Sequence, residues 1–379
     1  MVKEITPVIV AARRTPIGTA GLALRNVDTT GLAAPVLSAL RAELDLESPD
    51  HVILGNCMGA GGNVARVSTL AAGFGVSVPA LTLDLQCGSG LAAITTAAAF
   101  VRSGSSEVVL AGGVESASTA PWRMWPPANG REPQRYSRAP FAPADIGDPE
   151  MGAAADGVAR RWGISRERQD AYAVRSHTRA AAARAAGRFD EELVPLPQLD
   201  RDERVRDHLR QSTLARLPSA FTTDGTVTAG NACGINDGAA AVAVVSEARR
   251  RADGIPGLAC LDWETAGVDP NLPGVGPVPA IRELLRRNDI TLADVGVIEV
   301  NEAFAAQVLA CCDELGLHEE RICVEGGALA LGHPWGASGA VLAVRLYSQM
   351  VRQDGPELGL AAIAVGGGQG VAILVQRIG

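Results

Sequence analysis

Asp84-Leu85-Gln86-Cys87-Gly88-Ser89-Gly90-Leu91 follows the apolar run Pro79-Ala80-Leu81-Thr82-Leu83 and opens an Ala-rich segment over 91–101. An apolar run, two glycines and a segment of high helix propensity predict a strand, a sharp turn and a helix. That order sets the Cys87 sulfur at a helix N-terminus. There, unpaired N–H groups and the helix dipole favour a thiolate, the nucleophilic form of the side chain. Gly88 and Gly90 allow a tight turn and a close approach of substrate to backbone. A lone cysteine in such a setting is as readily a buried, inert thiol. Residues elsewhere in the chain decide between the two.

Composition narrows the class. The chain has 379 residues, 47% of them hydrophobic and 20% charged, which predicts a globular protein of one to three domains with a large core. Aromatic residues make up only 4%, so Ala, Val, Leu and Gly must fill that core. The net charge of −8 and the lack of a basic tract argue against nucleic acid or an anionic membrane as partner. Seven cysteines without a CxxC pair fit neither a disulfide framework nor a zinc site, and point to a reducing, cytoplasmic setting. Residues 8–10 form a short apolar run within polar flanks, not a signal peptide, and no apolar run has the length of a membrane span.

In chain order, the pattern predicts strands at 5–11, 51–55 and 107–111. It predicts a helix at 29–44 capped by Thr29 or Thr30, and the Cys87 element between the second and third strands. A similar order returns later: a helix at 279–287, a strand at 295–300, a helix opening at Gly336-Ala337-Ser338-Gly339-Ala340, and a strand at 360–365 before Gly366-Gly367-Gly368. Three echoes accompany it. Residues 52–56 resemble 297–301, 88–91 resemble 337–340, and 110–113 resemble 364–367. Two related α/β halves explain them economically. Between the halves, residues 117–220 carry Trp122, Trp125, many prolines and a charge cluster over 201–210. Within this stretch, 153–187 is helical with a break near Trp162-Gly163-Ile164-Ser165, where Ser165 and Glu167 mark a helix start.

Three further motifs converge on Cys87. Asn301-Glu302-Ala303-Phe304 ends a predicted strand, and an Asn amide can orient a water or a carbonyl. Gly332-His333-Pro334 places an imidazole in a glycine-rich segment before a helix. Gly366-Gly367-Gly368-Gln369-Gly370 offers backbone N–H groups to an oxyanion. A thiol, an imidazole that deprotonates it and backbone donors together make an acyl-transfer site.

These motifs, with Thr228-Ala229-Gly230-Asn231 and Asn236-Asp237-Gly238-Ala239-Ala240, resemble those of the thiolase family over nearly the whole chain. The resemblance implies two α/β halves in five layers, helices sandwiching two mixed sheets, with a loop domain above. It assigns 1–116 to the N-terminal half, 117–220 to the CoA-covering loop domain, 221–255 to the return of the N-terminal half, and 256–379 to the C-terminal half. It implies an acyl-CoA-dependent acyltransferase of the acetyl-CoA C-acyltransferase type, with no covalently bound cofactor and a coenzyme A thioester as substrate. Cys87 would be acylated. His333 would take the thiol proton and, with a water held by Asn301, bind a thioester oxygen. The N–H groups of Cys87 and Gly366 would form a second oxyanion hole. CoA would pass Met151, Ala220, Phe221, Ala229 and Cys233, with Ala303 and Phe304 near the acyl end. A homodimer or tetramer is implied, and the low-charge strand at 107–111 is a candidate interface edge.

The chain departs from the family pattern where chemistry is at stake. A cysteine expected two residues before the glycine-rich motif, the base for the α-proton, is Ala364. Glu150 stands for a His, Glu325 for an Asn, Cys233 for a Ser, and Pro218 for an Arg, with Arg216 nearby. These changes leave two alternatives beside the thiolase reaction. One is a divergent acyltransferase passing its acyl group to another nucleophile in specialised metabolism. The other is a non-catalytic scaffold subunit, which would have no need of Cys87, His333 and Asn301 together.

Overall fold

The computed structural model describes residues 3–379. The N-terminal half opens with β1 (Pro7–Arg14), β2 (Gly18–Thr19), α1 (Thr29–Glu43), β3 (His51–Gly55), α2 (Val64–Ala71), β4 (Ala80–Leu83), α3 (Ser89–Arg102) and β5 (Val108–Ser116). The excursion holds a short hairpin, β6 (Arg123–Trp125) and β7 (Gln134–Tyr136), then α4 (Met151–Trp162), α5 (Arg166–Ala185) and α6 (Gln211–Leu214). The first half closes with β8 (Asn236–Ser246) and α7 (Glu247–Asp253). The second half runs through β9 (Gly257–Gly267), α8 (Pro277–Arg287), β10 (Val297–Val300), α9 (Ala305–Leu315) and α10 (Ala328–Leu331). It ends with α11 (Trp335–Tyr347), β11 (Leu358–Val365) and β12 (Gln369–Ile378).

Local chemistry accounts for the ends. Asp28, not Thr29 or Thr30, caps α1, its Oδ1 accepting the Gly31 N–H at 2.8 Å. Ser165 caps α5 as the sequence predicts, accepting from the Arg168 N–H at 3.2 Å, and Gly163 in the left-handed region ends α4.

The strand order is β10-β11-β12-β9-β1-β8-β5-β3-β4. Each half contributes a mixed sheet, and the two are hydrogen-bonded into one through the short β1–β9 pairing of Val8 with Ala259 and Ile9 with Leu258. Alternation along the strands sorts side chains into three cores. In β12, Val371, Ile373 and Val375 face a central cluster with α3 and α11, while Ala372 and Leu374 face an outer cluster with α8 and α9. In β3, Ile53 faces the same centre, whereas Val52 and Leu54 face α1 and α2. Helices, sheet, helix pair, sheet, helices make five layers.

The duplication is real at the level of elements and partly illusory letter by letter. The 88–91 and 337–340 echo is structural: α3 and α11 cross where their glycines face each other's backbone. A Cβ on Gly90 would stand 2.9 Å from the Ala340 nitrogen, and one on Gly339 would press still closer on Leu91. The 52–56 and 297–301 echo is out of register, because Ile53 faces the central layer and Ile298 the outer one. A one-residue offset reverses every side chain of a strand. The third echo also fails, since Gly112 and Gly113 lie inside β5 whereas Gly366–Gly368 follow the end of β11. The 107–111 strand is no edge either: β5 lies between β3 and β8, and β4 is the exposed margin of that half.

Candidate active site

The Cys87 turn is built by strain and by hydroxyl bonds. Between β4 and α3, Gln86 adopts φ +47°, a left-handed conformation that side chains other than Gly, Asn and Asp rarely take. Asp84 Oδ1 accepts the Gln86 N–H at 2.7 Å. Ser89 Oγ accepts the Leu85 N–H at 2.8 Å and donates to the Gln86 carbonyl at 2.6 Å. Gly88 is required because a Cβ there would stand 2.6 Å from Val365 Cγ2 of β11. The turn of one half is thereby pressed onto the strand end of the other.

His333 is fixed from three sides. Its backbone N–H donates to Asn236 Oδ1 at 2.9 Å, and Asn236 Nδ2 donates to the Gly18 carbonyl. Its ring Nδ1 lies 2.6 Å from Ser338 Oγ, on the first turn of α11, leaving Nε2 as the nitrogen free to serve a reacting group. Gly332 has φ +120°, and a Cβ there would meet Ile17 Cγ2 at 2.6 Å. Buried Glu115 joins the halves at this point. It accepts from the N–H groups of Cys57, Met58 and Gly336 at 3.0–3.1 Å and from Asn56 Nδ2 at 3.1 Å.

A cavity of about 110 Å³ brings Cys87, His333, Ala364 and Gly366 together. Met151, Cys233, Ala303 and Phe304 line it as well. Ala220, Phe221 and Ala229 do not: they are exposed outside it, with Phe221 edge-on to Phe304 at 6.1 Å between ring centres. Asn301 borders a separate small cavity with Gly332 and Ser338. It is 2% exposed, and its Nδ2 has no hydrogen-bond partner.

Two of the altered positions, Glu325 and Glu150, lie away from the pocket. Glu325 pairs with Arg345 and, at 3.9 Å, with Arg188, so its carboxylate is engaged and is no base for chemistry at Cys87. Glu150 precedes α4 with its side chain in solvent, 3.1 Å from Arg138. Glu302, beside Asn301, is a buried anchor. It accepts from Tyr172 Oη at 2.9 Å, Ser176 Oγ at 2.6 Å and the Leu329 N–H at 3.2 Å, tying α5 to the C-terminal half.

Sequence reading missed Ala154, Ala155, Gln307 and Trp335 as lining residues. The first two were within reach, since they stand three and four residues after Met151 on one helix face. Pro273 and Gly274, also in the wall, carry no local signal.

The electrostatics differ from the expected helix-terminus thiolate. Cys87 lies outside the Gly88 cap of α3. Burial pushes its thiol up to about 12, and the neighbouring Cys233 adds to the shift. Burial also brings the His333 imidazole down to about 4. The resting pair is therefore a neutral thiol and a neutral imidazole. The first can give up a proton only as it attacks, and the second is free to receive it.

Known proteins agree with this architecture. The family model described as "Thiolase, N-terminal domain" matches residues 7–248, and "Thiolase, C-terminal domain" matches 256–377. A Bacillus subtilis (strain 168) protein named "Putative acetyl-CoA C-acetyltransferase YhfS" is 43% identical over 372 residues, 97% of this chain and 98% of that one. The crystal structure of the Bacillus anthracis acetyl-CoA acetyltransferase superposes with a TM-score of 0.91 at 39% identity, covering 98% of this chain and 99% of that one. Human mitochondrial 3-ketoacyl-CoA thiolase, solved in complex with CoA, gives 0.92 at 34% identity over 100% of both chains. The chain belongs to the thiolase family.

Proposed function

We propose that the protein is a thiolase-type acyltransferase that forms an acyl-enzyme on Cys87 from an acyl-CoA. The observation that carries this reading is the shared cavity of Cys87 and His333, with Nδ1 of the imidazole taken by Ser338. In acylation, His333 Nε2 takes the thiol proton as Cys87 Sγ attacks the thioester carbonyl, and the carbon–sulfur bond to CoA breaks. The N–H groups of Cys87 and Gly366 are the proposed donors to the oxyanion, and Asn301, with its unpartnered amide, the holder of a water beside His333. Met151, Cys233, Ala303 and Phe304 form the acyl end of the path. Ala220, Phe221 and Ala229 are proposed to meet the rest of CoA at its mouth. Residues 117–220 act as the covering domain, a role supported by Met151 in the pocket wall and by Phe141, which packs on Gly366.

Ala364 lines the pocket where the family pattern carries a cysteine, and a methyl group holds no proton to exchange. Without another base in the pocket, condensation and thiolysis should therefore be slow beside acylation, since a lost acid–base group costs roughly 100- to 10,000-fold. Seven free thiols support a reducing, cytoplasmic setting. No helix among the described residues is long and apolar enough to cross a membrane. Self-association is proposed along β4, the exposed strand margin.

Incubation with acetyl-CoA followed by intact-mass measurement tests the reading. One acetyl group should add to the chain and disappear in Cys87→Ser, and Ala364→Cys should raise acetoacetyl-CoA formation. An unmodified chain under saturating acetyl-CoA would return the protein to the scaffold alternative.

A further inference from the structure

Three side chains in the Cys87 cavity can give or take a proton: Cys87, His333 and Cys233. Cys87 is the proposed nucleophile. His333 is a weak base, because burial has brought it down to about 4, and in the proposed acylation it already holds the Cys87 proton. No carboxylate lines the cavity among the described residues, and Glu325 is bound to Arg345. Carbon–carbon chemistry on an acyl-CoA requires removal of an α-proton, and that leaves Cys233.

The surroundings of Cys233 suit the task. Its N–H donates to the Ala303 carbonyl at 3.0 Å, and Ala232 is bridged to Phe304, so the Cys233 backbone is fixed beside two other residues of the cavity wall. The Arg204 guanidinium packs on the following residue: a Cβ at Gly234 would stand 2.5 Å from its Nη1. Arg204 makes no ion pair within 4 Å among the described residues, and its buried Nε lacks a hydrogen-bond partner. A nearby cation without an ion-pair partner favours the thiolate of this half-buried cysteine. Burial pushes the Cys233 thiol up to about 12 while Arg204 draws it down, so the thiolate, once formed, is a strong base.

Resting on the acyl-enzyme reading above, we propose that Cys233 is the acid–base residue that removes the α-proton, in the role that Ala364 cannot fill. The proton balance closes. Cys87 passes its proton to His333 and takes the acyl group, and CoA departs as a thiolate. Cys233 gives its proton to that thiolate, and CoA leaves as a thiol. The Cys233 thiolate then takes an α-proton from a second acyl-CoA. The resulting enolate carbon attacks the acyl carbonyl on Cys87, and the carbon–sulfur bond breaks. Cys87 recovers its proton from the imidazolium. The products are one 3-ketoacyl-CoA and one CoA.

The test is exchange of the α-protons of acetyl-CoA in deuterated buffer, read by mass and divided by the acylated fraction of enzyme in the same sample. Wild-type protein should acylate and exchange. Cys233→Ser, close in size to the thiol but a far weaker acid, should lower exchange per acyl-enzyme roughly 100-fold or more. Adding Ala364→Cys to that variant should restore it. Cys233→Ala provides a second background, with circular dichroism and thermal melting reporting that each variant is folded. Exchange per acyl-enzyme unchanged in both Cys233 variants, or wild-type protein that acylates without exchanging, overturns the assignment and leaves the acylation reading standing. Failure of wild-type protein to acylate overturns both.

Discussion

Cys87 and His333 show how one residue pair can be chosen by local sequence and tuned by remote packing. The turn that presents Cys87 follows from its neighbours: Asp84 and Ser89 hold the Gln86 backbone in its left-handed conformation. The proton affinities do not, because they follow from how completely other elements exclude water. For His333 this has a thermodynamic consequence. In the unfolded chain the imidazole titrates near its ordinary value of about 6.5, and in the folded chain near about 4. Between those values the unfolded chain binds a proton that the folded chain refuses. Stability is therefore lost as pH falls through that window, by about 3 kcal/mol in full. Urea denaturation at pH 7 and at pH 4.5 should show His333→Asn losing less stability on acidification than the wild type. Equal losses in the two proteins would remove His333 from the account.

At the scale of elements, the α3–α11 pair carries the design. Both helices are rich in Ala and Gly, and their crossing brings backbone against backbone at Gly90 and Gly339. The helix starts that present Cys87 and His333 are set by this contact, so spacing here passes directly into the site. Gly339→Ala would drive a methyl group into the backbone of α3, which cannot swing aside as a side chain can, and should cost about 1–3 kcal/mol or more. Gly157→Ala, in α4 with nothing within 4 Å of the new methyl, should be neutral or stabilise by up to about 1 kcal/mol. Chemical denaturation of the two variants checks the contrast, and equal effects would mean that the crossing tolerates looser packing. The existence of most of these elements was legible from periodicity and glycine placement. Their pairing was not: equivalence between the repeated strands is decided by which face each residue turns to the central helices.

Across the whole molecule, buried charge and open edges matter most. Arg14 of β1 is fully buried, 2.7 Å from Glu192 and 2.7 Å from Asp202, both in the excursion between the halves. Arg345 of α11 reaches the same Glu192, whose proton affinity these two guanidiniums hold down against the effect of burial. The network pins the excursion to both halves. At the other extreme, β4 pairs on one side only, and Leu81 on it is 42% exposed, with Val67 and Leu70 of α2 and Val76 also in solvent. An unpaired strand margin with apolar neighbours is suited to a second copy across a two-fold axis. Light scattering at micromolar concentration should give a dimer or a multiple of it. Leu81→Glu should shift the population toward monomer, and an unaltered mass in that variant would place the interface elsewhere.

What the amino-acid sequence determined by itself was local and chemical. It marked the strand-turn-helix around Cys87, the imidazole at Gly332-His333-Pro334, the glycine turn at 366–368, the order of most elements and the doubling of the α/β unit. These are legible because propensity, caps and side-chain period act over a few residues. Only the tertiary structure decided which predicted groups meet. It set Ala364 and Cys233 in the cavity with Cys87, kept Glu325 and Glu150 out of it, and gave Asn301 a cavity of its own. It also made β4 rather than β5 the open margin, and converted an expected thiolate into a neutral thiol. The physical reason is the same throughout. Strand register, desolvation and charge pairing depend on segments far apart in the chain, and no local pattern encodes the distance between them.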